Sequence, residues 1–324
     1  MRTSFLRTNS VIFCGIIFSL HFLFFSSVWG ADYPVKPINL IVAASAGGPL
    51  DVNARILADV ASKELKVPIV VINKAGPGGA LAASSAANEK PDGYTFLLAN
   101  SSMMTANFAV FPNLSYKRTD FVPVLMCFIT PINIAVRSDS PYKSLKELLD
   151  AAKRTPGKLR SGSFSPSISI VWEGLLKQEK IDIIHMLYKG AADCFVAFMG
   201  GHIDCYLDAL TPILPHLEAG KIRLLASISS KRNKNYPDVP TLNELGYSKF
   251  SQDFWSGFFA PAGLPKPIMG KFVQTLERTL SLPSVQAQML KAGVLPTFMG
   301  PNEFADFIDN QYKFFMDLAK ETGK

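Results

Sequence analysis

From Ile38 onward, short runs of β-branched and aromatic residues alternate with longer segments whose apolar positions recur every three or four residues. The runs at 38–44, 69–72, 94–99, 132–136, 183–188, 203–207 and 222–228 are bounded by turn residues and predict strands. The segments at 51–65, 144–154, 168–178 and 191–199 predict helices, and Val52, Ile56 and Val60 recur at four-residue spacing on one face of the first. Two amphipathic helices are expected at 267–280 and 302–319, with Pro301-Asn302 as the start signal of the second. This alternation predicts an α/β fold of parallel sheets covered by helices on both sides.

At about 100–200 residues per domain, a chain of 324 residues predicts two domains. Neither a repeat nor a Pro/Ser-rich linker divides the chain into halves, so it is expected to cross between domains more than once, around 124–131 and 249–255. The expected division is 31–130 plus 252–324 for one domain and 131–251 for the other.

The first thirty residues have a different pattern. Arg2 and Arg7 precede an apolar stretch at 11–25, and Val28 and Gly30 occupy the small-residue positions before a cut. This is the pattern of an export signal, with the mature chain beginning at Ala31. The apolar stretch is 15 residues long and interrupted by Ser19 and His21, whereas a spanning helix needs about 20. Removing Arg2 and Arg7 lowers the formal charge from +7 to +5. No run of five basic residues and no interleaving of aromatic with basic residues occurs, so a nucleic-acid footprint is not expected. Cys127, Cys194 and Cys205 are the cysteines beyond the signal, an odd number, and Cys194 and Cys205 are the pair close in sequence.

Four strand-to-helix junctions carry candidate chemistry. Ser45-Ala-Gly-Gly-Pro-Leu-Asp51 is a glycine-rich turn that opens a helix. Its backbone N–H groups at the positive end of a helix dipole form an anion site, or it is a tight connection capped by Asp51. Gly76-Pro-Gly-Gly79 has neither a dinucleotide nor a phosphate-loop spacing and predicts a structural turn. Ser161-Gly-Ser-Phe-Ser-Pro-Ser167 offers hydroxyls ahead of the 168–178 helix, and Tyr188-Lys-Gly-Ala-Ala-Asp193 places Lys189 beside the small residues Gly190 and Ala191. All four fall where strands of an open α/β sheet end, the edge at which such sheets bind ligands.

His202, Asp204, Tyr206 and Asp208 share parity and would face one side of a strand. Their spacing matches no zinc or calcium pattern, so no metal or other cofactor is assigned. Asp208 is either a pocket acceptor or the cap of the following turn. No Gly-x-Ser-x-Gly elbow occurs, and His185 and His216 are expected to serve structure. An exported α/β protein with several anion-friendly helix starts and no nucleophile-base set has the character of a receptor. An exported hydrolase using Asp204 and Asp208 and a sensor subunit for a signalling partner are the other classes considered.

The chain resembles the Bug-type receptors, the extracytoplasmic solute-binding components of tripartite tricarboxylate transporters. The likeness runs from Tyr33-Pro-Val-Lys-Pro-Ile38 to the C-terminus through Gly47-Gly-Pro-Leu-Asp51, Asn73-Lys-Ala-Gly-Pro-Gly-Gly79, Pro91-Asp-Gly-Tyr-Thr95, Tyr188-Lys-Gly190, Leu214-Pro-His216, Asp238-Val-Pro-Thr241 and Ala260-Pro-Ala-Gly263. The resemblance implies a type II periplasmic binding fold of the Venus-flytrap kind, with two discontinuous domains closing on a small organic carboxylate. It implies a monomeric periplasmic protein that works with membrane transporter subunits. It further implies carboxylate capture by backbone groups, with pocket positions at Ser45, Gly47, Gly48, Asp51, Ser101, Ser163, Lys189, Gly190, Ala191 and Asp208 and an aromatic, Trp255, near the cleft. The sequence departs from the family pattern at Leu50, Asn100, Phe164 and Pro166, which implies a bulkier or more apolar pocket.

Overall fold

The computed structural model describes residues 33–323, and the expected export signal and its cut before Ala31 lie outside them. In chain order the elements are β1 (Ile38–Val42), α1 (Pro49–Leu65), β2 (Ile69–Asn73), α2 (Ala80–Ala87), β3 (Thr95–Asn100), the short helices α3 (Ser101–Met104) and α4 (Asn107–Val110), and β4 (Phe121–Thr130). There follow β5 (Ile132–Arg137), α5 (Leu145–Arg154), β6 (Arg160–Ser163), α6 (Pro166–Glu179), β7 (Ile184–Leu187), α7 (Ala191–Met199), β8 (Cys205–Ala209), α8 (Leu214–Glu218) and β9 (Ile222–Ser227). The chain ends with β10 (Phe254–Pro261), α9 (Lys266–Ser281), α10 (Pro283–Lys291), β11 (Leu295–Met299) and α11 (Pro301–Thr322).

These strands form two sheets flanked by helices, one in the order β11-β4-β10-β3-β1-β2 and the other β7-β6-β8-β5-β9. The expected all-parallel pairing is replaced by a mixed one. β2, β1 and β3 are parallel, as are β7, β6 and β8, but β10 runs against both β3 and β4, and β5 against both β8 and β9. The cause lies in how the chain passes between the sheets. β5 and β10 each arrive from the other sheet, so each begins beside the place where its neighbours end: Ile132 pairs with Ala209, and Ser256 with Asn100.

The chain passes between the sheets at Pro131 and between Ile228 and Phe254, the second passage being longer than the 249–255 expected. Pro131 has no N–H to donate, which ends the β4 ladder and lets the strand turn out of one sheet into the next. The two passages run side by side, with Ile228 N donating to Ile132 O and Gln252 N donating to Ile228 O, both at 2.8 Å. Strands β4 and β10 themselves were expected only as crossing segments. β6 was expected as a hydroxyl-rich loop, since its Arg-Ser-Gly-Ser composition is not that of a strand.

The first helix buries a different stripe from the Val52, Ile56, Val60 series. Leu50, Ala54, Leu57, Ala58, Ala61 and Leu65 face the sheet, and Val52 is exposed. Three alanines on the buried side let the helix lie close to β1 and β2, which larger side chains would prevent. The C-terminal helix α11 joins two cores. Phe304 and Ile308 pack with Trp255 and Phe259 under the six-stranded sheet, whereas Phe315, Leu318 and Ala319 pack with Ile168 and Trp172 under the five-stranded one. Among the described residues, no helix is long and apolar enough to cross a membrane.

Candidate functional site

The β1–α1 junction is held by one buried carboxylate. Gly48 is the N-cap of α1 and Pro49 its first helical residue, and no side chain caps the turn. The amides of Leu50 and Asp51 therefore have no intrahelical acceptor and point out of the helix start. Gly47 adopts φ +80°, a left-handed conformation that favours glycine. Asp51 fixes this shape from inside: its Oδ2 accepts from Gly47 N at 2.8 Å, and its Oδ1 accepts from Asn73 Nδ2 at 2.9 Å and from Arg55 Nε at 3.0 Å. Asn73 Nδ2 also donates to Ala44 O at 3.1 Å, tying the end of β2 to the end of β1. Burial pushes the Asp51 carboxyl up, but hydrogen bonds from Arg55, the Gly47 amide and Asn73, together with the Arg55 charge, outweigh it and hold the group below the usual carboxylate value.

Next to β1, β3 ends in the short helix α3. Asn100 caps it by accepting Met103 N at 3.1 Å, which accounts for an Asn at this position. Gly76-Pro-Gly-Gly79 packs against this region as the expected structural turn, with Asn107 Nδ2 donating to Gly78 O at 2.6 Å. Ser101 and Ser102 are buried. Ser102 reaches the other sheet, where its hydroxyl is hydrogen-bonded to those of Ser165, at 2.8 Å, and Ser167, at 2.7 Å. Ser102 follows the C-terminal end of β3, and Ser165 and Ser167 that of β6. This contact therefore sets the ligand-binding edge of one parallel strand set against the ligand-binding edge of the other.

In the five-stranded sheet, Ser163 is fully buried and its hydroxyl is engaged with Ser169 at 2.9 Å and His185 Nε2 at 3.3 Å. His185 is the center of this network. Its Nε2 is also hydrogen-bonded to Ser169 at 2.8 Å and its Nδ1 to Ser161 at 3.0 Å, while Trp172 Nε1 donates to Ser161 at 2.9 Å. The network fastens the start of α6 to β6 and β7. Pro166 is the first residue of that helix, where its missing N–H removes nothing, and Phe164 beside it is exposed. The β7–α7 junction lies next in space. Tyr188 N donates to Ser163 O at 2.8 Å, Gly190 is the N-cap of α7, and Lys189 is exposed.

Asp208, near the end of β8, differs from the other acids among the described residues. It is 1% exposed; its Oδ1 accepts from Ala209 N at 2.7 Å, while its Oδ2 is buried with no hydrogen-bond partner among the described residues. Burial pushes its carboxyl up to about 8, and the amides of Ala209 and Phe164 draw it back only in part. Asp204 points to other chemistry, accepting Arg160 N at 2.8 Å. Four residues along a strand separate the two acids by about 13 Å, beyond the roughly 5–9.5 Å of carboxylate pairs that share a reacting bond.

The remaining candidates are placed as follows. Trp255 is buried in the aromatic core under the six-stranded sheet; its Nε1 donates to Gln311 at 2.7 Å, and its ring packs edge-on against Phe304 at 4.8 Å. It packs under the sheet in the cluster that also holds Met103 and Met104 of α3. Cys127, Cys194 and Cys205 are free thiols, all buried. Sequence reasoning did not single out Arg55, Asn73, Ser102, Ser165 or the functional setting of His185. Arg55 stands four residues from Asp51 on the same helix, but the others act through partners at least 16 residues away.

The comparisons with known proteins agree with this geometry. The profile of the family described as "Tripartite tricarboxylate transporter family receptor" matches residues 53–323. Protein BugT of Bordetella pertussis is 30% identical over 295 residues, covering 90% of each chain. The structure of the periplasmic binding protein BugD is 29% identical with a TM-score of 0.79, covering 90% of this chain and 99% of that one. The structure of R. palustris Rpa4515 with adipate is 27% identical with a TM-score of 0.83 over the same shares. The relatives are solute-binding receptors with the same two-domain α/β fold, and the chain belongs to the receptor family of the tripartite tricarboxylate transporters.

Proposed function

We propose that this protein is a periplasmic receptor that captures a small organic carboxylate between its two lobes and delivers it to the membrane subunits of a tripartite tricarboxylate-type transporter. The export signal at 1–30 is removed, and the bodies that move are 31–130 with 252–324 and 131–251. The observation that carries this reading is the hydroxyl contact of Ser102 with Ser165 and Ser167, which turns two sets of helix starts toward each other. Gly47, Gly48 and the first-turn amides of α1 supply donors from one lobe, held in shape by Asp51. Ser101 and Ser45 flank them. Lys189, Gly190, Ala191 and Asp208 supply the other lobe, with Ser163 holding the loop. A relative of this fold binds adipate, whose two carboxylates suit such a pair of donor sets.

Magnitudes require both lobes. A helix start contributes about 0.3–1 kcal/mol to an anion and a hydrogen bond to a charged group about 1.5–3 kcal/mol. Micromolar binding takes about 8 kcal/mol before ordering losses. Several donors must converge, so tight binding is inseparable from closure.

The test is a thermal-shift panel of mono-, di- and tricarboxylates, aromatic acids and amino acids on the chain from Ala31. A ligand at 100 times its Kd adds about 2.7 kcal/mol of stability. Gly48→Val places a branched side chain where a Cβ already lies 3.3 Å from Ser45 O. It is expected to remove the ligand-induced shift while the free protein stays folded. A panel with no carboxylate response, or an undiminished shift in G48V, would overturn the assignment.

A further inference from the structure

We propose that Asp208 meets the bound ligand as a carboxylic acid, donating its Oδ2 hydrogen to an anionic oxygen, so that this receptor takes ligands presenting an acceptor rather than an ammonium group to the five-stranded lobe. This inference rests on the carboxylate-receptor reading above and adds to it the protonation state of the site and the chemical class of the ligand's second end.

The argument starts from position. Asp208 ends a strand between two helix starts: the Phe164 amide, ahead of α6, lies beside its carboxyl, and Cys194, in the first turns of α7, lies on its other side. Ala191, Ala192 and Asp193 form the first turn of α7, with no side-chain cap. Their amides have no intrahelical acceptor and, with the helix dipole, favour negative charge in front of them. Lys189 is exposed beside the same turn, and exposed Asp193 partly offsets its charge. A ligand group drawn to this corner is therefore anionic.

An anion cannot share the corner with a second carboxylate unless one of the two carries a proton, as in any pair of acids packed at one site. Among the described residues no cation is paired with the Asp208 carboxyl, and Lys189 stands exposed at the neighbouring turn. The titratable groups facing it are Tyr206 on its own strand, Cys194 on α7, and Tyr188, which faces Cys194 from the end of β7. Asn133 is its cross-strand partner on β5. Burial pushes the hydroxyls of Tyr206 and Tyr188 and the thiol of Cys194 up, so all three are neutral beside it. Asp51, at the matching junction of the other sheet, has Arg55 and Asn73. Asp208 has the Ala209 amide on Oδ1 and the Phe164 amide nearby, and its Oδ2 makes no hydrogen bond among the described residues. A buried polar atom without a partner is costly until something bonds it, and a carboxylate oxygen accepting from the Oδ2 hydrogen satisfies both groups. A ligand ammonium here would instead strip the proton from Asp208, and its binding would strengthen as the pH rises.

The proposal is tested by isothermal titration with malate, adipate and aspartate as probes, from pH 6 to pH 9. A carboxylate probe that binds is expected to do so with a constant Kd up to pH 7 and about ten-fold more weakly at pH 9, since the free protein then sheds a proton that the complex must regain. Titrations at pH 9 in buffers of different ionisation enthalpy are expected to show uptake of close to one proton, and this readout needs no variant. Asp208→Asn, which keeps a hydrogen-bond donor but cannot titrate, is expected to bind equally at pH 7 and pH 9. Affinity that is flat or rises with pH in the native protein, absence of proton uptake at pH 9, or a pH dependence retained in D208N would overturn the proposal. If the probes and the wider carboxylate panel fail at every pH, the receptor reading itself falls. Binding without proton linkage removes only the role of Asp208.

Discussion

Two aspartates occupy junctions at the binding edges of the two sheets, both almost wholly buried, and their environments are opposite. Asp51 is bonded on both oxygens by Gly47, Asn73 and Arg55 and is held ionised. Asp208 is bonded on one oxygen by its neighbour's amide and is pushed toward the neutral form. In the first lobe the carboxylate is internal framework, shaping the glycine-rich loop ahead of α1. In the second, the framework is the His185 and serine network, and the carboxyl is left over. The residue type is the same at both places, and what differs is whether a cation and an amide were placed beside it.

This contrast can be broken from either side. The largest effect is expected from Asp51→Ala, which leaves the Asn73 amide, Gly47 N and the Arg55 guanidinium without their acceptor. Arg55 is half exposed and can be solvated, but leaving the buried donors of Gly47 and Asn73 unpaired costs about 1–3 kcal/mol. Urea unfolding should show this, and carboxylate affinity should fall more than ten-fold with the loss of loop shape. A loss below about 1 kcal/mol would mean that the loop holds itself.

The pH dependence of stability sharpens the contrast. Asp51, held below the usual carboxylate value, stabilises the fold above that value and loses this contribution as the pH falls through it. Asp208 has the reverse sign. Well below pH 4 both folded and unfolded chains keep its proton, but from about pH 4 to about 8 only the unfolded chain sheds it, so the native state weakens steadily and then levels off. Asp208→Asn is therefore expected to change Tm little at pH 4 and to raise it by an amount that grows up to about pH 8. A Tm difference independent of pH would contradict the raised carboxyl.

The smallest effect is expected from Ser102→Ala, which removes the hydroxyl shared with Ser165 and Ser167. A neutral hydrogen bond contributes about 1 kcal/mol. Chemical denaturation should register that loss in the free protein, and an equal stability would show that the contact contributes nothing to holding the two edges together.

Much of the frame was legible from sequence. The seven alternating strand runs, the discontinuous crossings and the two C-terminal helices follow from periodicity, and the order of glycine-rich blocks points to the family. The mixed sheets were less legible, because β4 and β10 carry Pro123 and Gly257 and mark a crossing as much as a strand. β6 was hidden by its polar composition, since Ser161 and Ser163 point into the His185 network rather than into an apolar core. At the site, local pattern finds loops and not their supports. The glycines and Asp51 lie in one short stretch and Arg55 follows Asp51 at four-residue spacing on α1, whereas Asn73, 22 residues on, joins Asp51 only after folding. Trp255 was expected near the cleft from resemblance; one strand position decides its facing, and Gln311, 56 residues on, decides where its indole N–H goes.

Helix α11 bears on how such a receptor can move. Its first turns belong to one hydrophobic interior and its last turns to the other, and the close fit of Leu318 against Gly174, where an added Cβ would sit 2.6 Å from the leucine, leaves no slack. Rotating one lobe against the other must flex this rod or slide it in its groove. In the closure proposed above, such a rod would hold the swing to a small arc with a restoring force, as in a leaf spring rather than a loose pin.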